Sequence, residues 1–557
     1  MTTVRLFNGK DQLLKAMAFL GYEIDPNGMC FGIAHMAKQA ILAGELSQFC
    51  QRIRLINDVF NFVFLNGEVN NSLTTIEERH AFVKQELEDL RGSDTDPNNE
   101  FINILAFFDG IKLYHNGYLD SHLFEPDKRP TSQDATPPFV SALVESIKLA
   151  KEGGVHLLND PLTKISTRKE LETSFENLRN RLKKIAPLQQ AFAIVLSNPV
   201  HAITISYDAE SDLWIVINPD TLMKNPNSLT KKWIGKEISS ALSREFSFSD
   251  DKLTNISIES YVSHDPQKTK DCENELMAWL DDERKRSLQE DNLLDKTNKV
   301  DSYNVSWLWM AAYRGDLNAL QSLINASKNL NVLNENGEIS KYITLEQGLI
   351  DINLPNEQGM TPLYAAAHNG HKKIVEELIG AGAKVNLPNI EGVTPLYVAA
   401  HNGHKDIVQM LITAGANVNL PDKEGTTPLF IAAQNGNLEI VKLLLTQDVN
   451  KTLTFKSTAD NLLSFAKEHH KEKSMVDLIK RKKKPDIAQI ELTPCDIAIV
   501  MGHNEVAELL SSPEDLYKTK LLCFLGKFKN EKDINAPENQ KIITEVEELL
   551  AKEPITP

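Results

Sequence analysis

The spacing of apolar residues divides the chain into a helical part, a strand-rich part and a repeating part. Before about residue 186, apolar side chains mostly recur every three or four positions, which is typical of amphipathic helices. The runs 191–196, 200–207 and 213–217 are short, β-branched and aromatic, and they predict three neighbouring antiparallel strands. The prediction continues with a helix at about 229–245, a strand near 253–263 and a helix at about 273–288.

The repeating part has a period of 33 residues. Clear copies of one pattern begin at Thr361, Thr394, Thr427 and Thr493, a weaker copy at Asp460, and an earlier copy at Ser306 after which about 22 extra residues follow. A Thr-Pro helix start, paired alanines and a glycine after the first helix, at this period, resemble ankyrin repeats. The resemblance implies an all-α solenoid of about six repeats over 304–512, with an insertion near 326–350.

Composition and charge narrow the function. The chain has 557 residues and a formal net charge of −17, which argues against nonspecific binding of nucleic acid or anionic membranes. The five cysteines are scattered without a CxxC pair, so neither a disulfide framework nor a metal site is predicted. No run of apolar residues is long enough to predict a transmembrane helix, and no motif predicts a cofactor.

One stretch carries candidate chemistry. In Asn27–Gly32 (NGMCFG) a cysteine lies between two glycines and directly before a helical run that continues to Leu42. Cys30 is therefore predicted near a helix N-terminus, where unpaired backbone amides and the helix dipole favour a thiolate. A thiolate nucleophile also needs a base, and the base needs an orienting acceptor.

The candidate base is His201, at the start of a predicted strand, and the next predicted strand ends in Asn218-Pro219-Asp220. A hairpin would bring these residues to one end of the sheet. This order resembles papain-like cysteine proteases, in particular a branch found among bacterial virulence factors. The resemblance implies an α+β domain over 1–290 with a helical insertion at about 52–186. In it Cys30 would be the nucleophile, His201 the base, and Asn218 (alternatively Asp220) the third member.

Each of these residues also has a structural interpretation: Cys30 as a buried small hydrophobe, His201 as a hydrogen-bonded strand histidine, and Asn218 as a turn residue. His35 is excluded as the base because, five helical positions from Cys30, it points about 140° away. The papain family has an oxyanion-hole glutamine six residues before the cysteine, where this chain has Ile24. Asn27 is the nearest side-chain amide and is therefore the candidate oxyanion-hole residue in its place. The departure leaves a non-catalytic (pseudoenzyme) scaffold as the alternative.

The repeats predict a protein-binding region. Side chains that recur on the first helices and loops are the candidates for partner contact: Tyr364, His368, Tyr397, His401 and Gln434. The basic run Lys480–Lys484 is either a nuclear-localisation patch or, more commonly for such runs, a solvated loop.

The segment 513–557 is helical and polar in pattern, with glutamates at 545, 547, 548 and 553. It resembles the E-rich signals of type IV-translocated effectors of intracellular bacteria such as Legionella, and an ordinary acidic helix is its plainer interpretation. The resemblances together imply a secreted effector in the host cytoplasm or nucleus, with a linker at 291–303. Its partners would be host proteins and the bacterial secretion machinery.

Overall fold

The computed structural model divides into two compact units, Met1–Asn356 and Glu357–Pro557, which we describe separately. It describes residues 15–22, 29–65, 75–91, 104–109, 111, 155–159, 161–185, 192–198, 201–208, 211–219, 231–234, 254–263, 266–289, 299–301, 304–329, 350–469, 471–482, 489–512, 515–531 and 537–551.

The first unit combines helices with an antiparallel sheet, which makes it an α+β unit. Its helices are α1 (Met29–Leu42), α2 (Leu46–Leu65), α3 (Ile76–Arg91), α4 (Arg168–Leu182), α5 (Pro266–Ser287), α6 (Trp307–Arg314) and α7 (Leu317–Asn329). Its strands are β1 (Val155–Leu157), β2 (Leu162–Ser166), β3 (Phe192–Ser197), β4 (Ala202–Asp208), β5 (Leu213–Ile217), β6 (Lys231–Ile234) and β7 (Thr254–Ser263). The strand order is β1-β7-β3-β4-β5-β6, and β2 pairs with β7 beside β1.

The sheet is covered on both faces, and strand alternation decides which side chains go where. Ala193, Val195 and Ala202 face one core, which they share with α1, α2 and α3. Ile194 and Ile203 face the other core, which they share with α4 and α5. Strands β3 and β5 are therefore almost entirely apolar, as expected for a sheet that is buried on both sides, whereas β2 and β7 also bury polar side chains such as Lys164 and Glu259.

The three predicted strands at 191–217 are confirmed as the antiparallel meander β3-β4-β5. The predicted helix at 229–245 is wrong at its start, because 231–234 form strand β6, in which Trp233 pairs with Trp214. Periodicity alone does not distinguish a short helix from a short strand, and backbone pairing with β5 decides the outcome here. Two more strands, 155–157 and 162–166, lie inside the stretch assigned to a helical insertion, so that stretch contributes to the sheet. The apolar spacing before residue 186 also predicts a helix at about 139–152, which lies outside the described residues.

The second unit is built from pairs of short helices that follow the 33-residue period. Its helices are α8 (Pro362–His368), α9 (Lys372–Gly380), α10 (Pro395–His401), α11 (Lys405–Thr413), α12 (Pro428–Gln434), α13 (Leu438–Leu445), α14 (Ala459–Glu468), α15 (Glu472–Lys482), α16 (Pro494–Met501), α17 (Asn504–Leu510), α18 (Leu516–Glu531) and α19 (Pro537–Ala551). Each repeat opens with a threonine N-cap whose side chain accepts a backbone hydrogen bond, as Thr361 does from Tyr364 (3.1 Å). Caps of this kind explain why the Thr-Pro pair marks each helix start.

The predicted copy at 460 does not continue the stack. Helix α16 packs against α12 as α12 packs against α10, whereas α14 does not take that place. A glycine follows the first helix of each of these repeats, and a side chain of the repeat stacked next to it covers that glycine. His404 covers Gly370, Asn437 covers Gly403, and His503 covers Gly436. The last of these contacts skips one whole period, so α14 and α15 form an insertion between two adjacent repeats.

The insertion is bounded by a two-stranded antiparallel sheet, β8 (Phe455–Ser457) with β9 (Ile490–Leu492). This sheet replaces the tight turn that links other repeats, for example the turn around Gly425 (φ +89°). After the last repeat, α18 packs against α15, α16 and α17. Leu525 of α18 and Ile543 and Val546 of α19 form a small core of their own.

Candidate functional site

Cys30 is the second residue of α1, which begins at Met29. The first backbone amides of a helix have no helical carbonyl partner, so this position favours a negatively charged thiolate. The side chain of Cys30, and the whole of Ile24 and Asn27, lie outside the described residues. The oxyanion role predicted for Asn27 therefore remains a prediction.

His201 lies in the turn between β3 and β4, immediately before Ala202, and is 8% exposed. Asn198 holds this turn from its other side. Its side-chain Oδ1 accepts a hydrogen bond from the backbone N–H of His201 (2.7 Å), and its backbone N–H donates to the carbonyl of His201 (2.9 Å). Sequence reasoning missed Asn198, although the Asn-Pro pair at 198–199 is a turn signal that would have marked it.

Asn218 follows β5 directly and is 4% exposed. Thr204 pairs with Ile217, so continuing this antiparallel register by one residue places Asn218 opposite Ile203, two residues from His201. The two residues thus lie at the same end of the sheet. Asp220, the alternative third member, lies outside the described residues.

The contacts of α1 show which end of the sheet its first turn approaches. Thr204 Oγ1 donates a hydrogen bond to the carbonyl of Ala34 (2.5 Å). One turn later, Lys38 Nζ lies 4.0 Å from the ring centre of Tyr261, which pairs with Ala193 and therefore lies farther from His201. Cys30 lies one turn before Ala34, which is about 6 Å along the helix. A strand rises about 3.4 Å per residue, so the same distance along β4 leads from Thr204 to about Ala202. The backbone at Cys30 is therefore level with about Ala202.

Strand alternation adds a second constraint on this end of the sheet. Ala202 and Ile217 point to the face that α1 covers. His201 and Asn218 are each one residue away, so regular alternation directs both side chains to the same opposite face. Both residues lie just outside their strands, where the turn backbone sets the final direction. The sheet thus brings His201 and Asn218 together, and α1 brings Cys30 to the same end.

His35 belongs to the core rather than to this end of the sheet. Its ring is fully buried and meets the ring of Tyr261 edge-on, with centroids 5.8 Å apart. Burial, followed by the charges of Lys38 and Arg314, lowers the pKa of His35 well below its usual value. It is therefore neutral at physiological pH, and its position next to Tyr261 agrees with its exclusion as the base.

A groove of about 720 Å³ opens in the second unit where the inserted helix α14 faces helix α12. Its floor is aromatic, with the rings of Phe430 and Phe455 at 5.6 Å. Its rim is polar and charged. The groove is lined, among others, by Tyr397, Asp422, Glu424, Gln434, Phe465 and Asn461. Burial and then Asp422 raise the pKa of Tyr397, so its hydroxyl stays protonated and can donate a hydrogen bond.

The five predicted partner-contact residues differ in what they can reach. Tyr397 and Gln434 line the groove, and His401 is exposed, with its ring against Asn402 Oδ1 (2.7 Å). Tyr364 is only 7% exposed and stacks on His368 at 6.5 Å. Tyr364 therefore serves the core of its repeat more than the surface.

The basic run Lys480–Lys484 is held in part by the fold. Lys482, the last residue of α15, forms an ion pair with Asp496 and donates to the carbonyl of Glu491 (3.2 Å). Residues 483 and 484 lie outside the described residues. The contacts of Lys482 favour the structural interpretation of this part of the run.

Among the described residues, no cluster of histidine, cysteine and carboxylate side chains is arranged to hold a metal ion. None of the helices in that part of the chain combines the length and the apolar character of a membrane span. The ankyrin-repeat family model matches in three copies, over residues 292–422, 374–454 and 429–520. The second match ends before the inserted helices α14 and α15, and the third spans both of them.

Proposed function

Because the C-terminal half of this chain carries ankyrin repeats, which serve protein–protein interaction, we propose that it binds a protein for a thiol-dependent enzyme in the N-terminal unit. In this proposal the first unit is a papain-like cysteine hydrolase or acyl/amide transferase. Its substrate is the protein that the repeats hold.

Cys30 would attack a carbonyl of the substrate, and His201 would take the thiol proton and return it to the leaving group. Asn218 would accept or donate a hydrogen bond at the other imidazole nitrogen and so orient the ring. The acyl-enzyme would then be resolved by water, or by an amine in the transferase case. Hydrolysis of a peptide or isopeptide bond is the default reaction, and glutamine deamidation, transglutamination and acyl transfer use the same groups.

The observation that supports this proposal is the register of three elements along the sheet. The turn before β4 and the residue after β5 lie at the same end, and the contact of Ala34 with Thr204 directs the first turn of α1 towards that end. These are the three positions that the sequence order Cys, His, Asn-Pro-Asp assigns to a nucleophile, a base and an orienting group. The buried sheet supplies a rigid support for them.

A second candidate function rests on strand alternation at the same end. If His201 points away from α1, it cannot act as the base for Cys30, and the first unit is then a non-catalytic scaffold. The repeats would then bind a protein without modifying it. The two functions differ in one measurable property, the reactivity of Cys30.

We expect a thiol-directed electrophile to label native protein at Cys30 at neutral pH much faster than unfolded protein. Mass spectrometry assigns the label to a particular cysteine. The other thiols should react slowly, because burial raises the pKa of Cys272 to about 12, that of Cys523 to about 11, and those of Cys50 and Cys495 above their usual values. Cys30→Ala should abolish the fast label, and His201→Ala should slow it. Cys495→Ser, at a half-buried thiol, is the matched control and should change nothing.

Equal labelling rates at Cys30 in native and unfolded protein would exclude the enzyme and leave the scaffold. If Cys30 is reactive, a Cys30→Ala chain that keeps its repeats should retain its substrate. Proximity labelling in cells with this variant would then identify the protein that is held.

We also infer that the chain is a translocated bacterial effector that acts in the host cytoplasm or nucleus. The support is the glutamate cluster of α19, Glu545, Glu547 and Glu548, beside a thiol-enzyme and an ankyrin region. Replacing these three glutamates by glutamine should reduce delivery of a fused reporter from a bacterium with a type IV system. Unchanged delivery would make α19 an ordinary acidic helix.

A further inference from the structure

The first repeat differs from the others at two positions of the turn between its helices. In three later repeats asparagine precedes the turn glycine, at Asn369, Asn402 and Asn435. The first repeat has Arg314 before Gly315 and Asp316 after it. In the regular repeats these positions contact the preceding repeat, as Asn402 Nδ2 does by donating to the carbonyl of His368 (2.7 Å).

In the first repeat the same two positions contact the sheet. Asp316 accepts hydrogen bonds from the backbone amide and the hydroxyl of Thr163 in β2 (2.7 and 2.8 Å). Arg314 donates from Nη2 to the hydroxyl of Ser197, the last residue of β3 (2.5 Å). The side chains that would join one repeat to another therefore join this repeat to the antiparallel sheet.

The contact of Arg314 falls at the end of the sheet that carries His201. Ser197 pairs with Ala202, and the next residue, Asn198, holds the backbone of His201 from both sides. A donor fixed on Ser197 thus fixes the β3–β4 turn. A hydrogen bond from a charged donor is stronger than one between neutral groups, so this anchor is a firm one.

The guanidinium also stands on the face of the sheet that α1 covers. Ser197 alternates with Ala193 and Val195, which belong to the core shared with α1. Arg314 is only 3% exposed, and its charge is felt in α1, where it contributes to the lowered pKa of His35. Little water screens a charge at such a depth.

We propose that Arg314, a residue of the first ankyrin repeat, is a positioning residue for the proposed thiol centre: it anchors the turn that carries His201 and places a fixed positive charge beside α1, whose first turn carries Cys30. This inference rests on the proposed function of Cys30. It makes the first repeat part of the enzyme rather than part of the binding region.

The test is the rate of Cys30 alkylation in the full-length chain at neutral pH, together with the ultraviolet absorbance of the thiolate relative to Cys30→Ala. Arg314→Met should slow alkylation by about tenfold, since loss of a nearby positive charge raises a thiol pKa by at least about one unit. Arg314→Lys keeps the charge and should recover much of the rate. Ser197→Ala removes the anchor alone and should slow alkylation less than Arg314→Met.

Asp316→Asn is the matched control. It weakens a buried contact of the same turn with the sheet, but at β2, which β7 and β3 separate from the strand that follows His201. It should lower the thermal midpoint and leave the thiolate absorbance of folded protein unchanged. A rate loss in Asp316→Asn equal to that in Arg314→Met would reduce Arg314 to a structural contact and overturn the proposal.

The remaining outcomes separate the two levels of inference. A reactive Cys30 in the wild type whose rate survives Arg314→Met overturns the role of Arg314 and leaves the enzyme intact. An unreactive Cys30 in the wild type overturns both. If Arg314→Met does not fold, Ser197→Ala decides, and a wild-type alkylation rate in that variant overturns the proposal.

Discussion

At the scale of single residues, equivalent positions in successive repeats carry different side chains. His404, Asn437 and His503 each follow a turn glycine and each cover the glycine of the preceding stacked repeat. His404 Nε2 donates to the carbonyl of His368 (3.0 Å). Asn437 Nδ2 donates to the equivalent carbonyl of His401 (3.4 Å) and to that of Ala400 (2.8 Å). The same backbone need is met by a titratable ring in one repeat and by a neutral amide in the next.

This difference predicts a pH dependence of stability. Burial, the largest cause, lowers the pKa of His404 from 6.5 to about 4, with smaller effects from its hydrogen bond to His368 and from the charges of His368 and His371. The unfolded chain therefore binds a proton that the folded chain does not, and stability is lost as the pH falls from 6.5 towards 4. Since a shift of one pKa unit corresponds to about 1.4 kcal/mol, the loss of stability from His404 amounts to at most about 3 kcal/mol.

We expect His404→Asn to retain most of the stability at neutral pH and to unfold less readily than the wild type in mild acid. Denaturant unfolding followed across this pH range measures both effects. His401→Asn changes an exposed histidine three residues away and should leave the acid loss as it is. An acid loss of wild-type size in His404→Asn would show that other groups cause it.

The sequence could predict the candidate site only as far as backbone order allows. Cys30 before a helix, His201 before a strand and Asn218 after the next strand follow from local pattern, and the hairpin then brings the last two together. Arg314 could not be found in this way. It lies more than a hundred residues from Ser197, and only the packing of a repeat against a sheet brings the two side chains into contact.

At the scale of elements, period and packing give different answers. The helix pair α14–α15 keeps the 33-residue spacing and a threonine N-cap, Thr458, so the sequence predicts one more stacked copy. A helix pair that is one period long but lies outside the stack keeps the same 33-residue spacing for the repeat that follows it. The contact of His503 with Gly436 distinguishes the two cases, and it depends on positions 67 residues apart.

The strands show a similar division between local pattern and tertiary contact. The meander β3-β4-β5 follows from β-branched runs whose neighbours in sequence are also neighbours in the sheet. Strand β7 lies between β3 and both β1 and β2, about sixty to a hundred residues away along the chain. Short strands such as β1 and β2 leave too little pattern to be recognised without that partner.

At the scale of the whole molecule, we expect each of the two units to hold one activity. The proposed thiol centre and Arg314 lie in the first unit, and the groove of about 720 Å³, where we expect the partner protein to bind, lies in the second. The groove exists because of the insertion, which supplies Phe455, Asn461 and Phe465 to its lining. Binding and reactivity should therefore be separable by changing the insertion alone.

The regular repeats show what length of chain can replace the insertion. Asn419 and Thr427 are eight residues apart, and Asn450 and Thr493 occupy the same two places in the next stacked pair. Replacing residues 451–492 by a copy of the seven residues Leu420–Thr426 restores this eight-residue spacing and supplies the turn glycine. We expect α16 to stay packed on α12, so hydrogen exchange should remain slow in both helices, although α18 loses its contact with α15.

The replaced chain should then fail to retain the protein captured by the Cys30→Ala trap, while its own Cys30 is alkylated at the wild-type rate. A matched variant that changes only Phe465 to alanine should weaken capture without altering hydrogen exchange in α12. Wild-type capture by the replaced chain would move the binding surface elsewhere on the repeats, and fast exchange in α12 would mean that α14–α15, not α16, is its true neighbour.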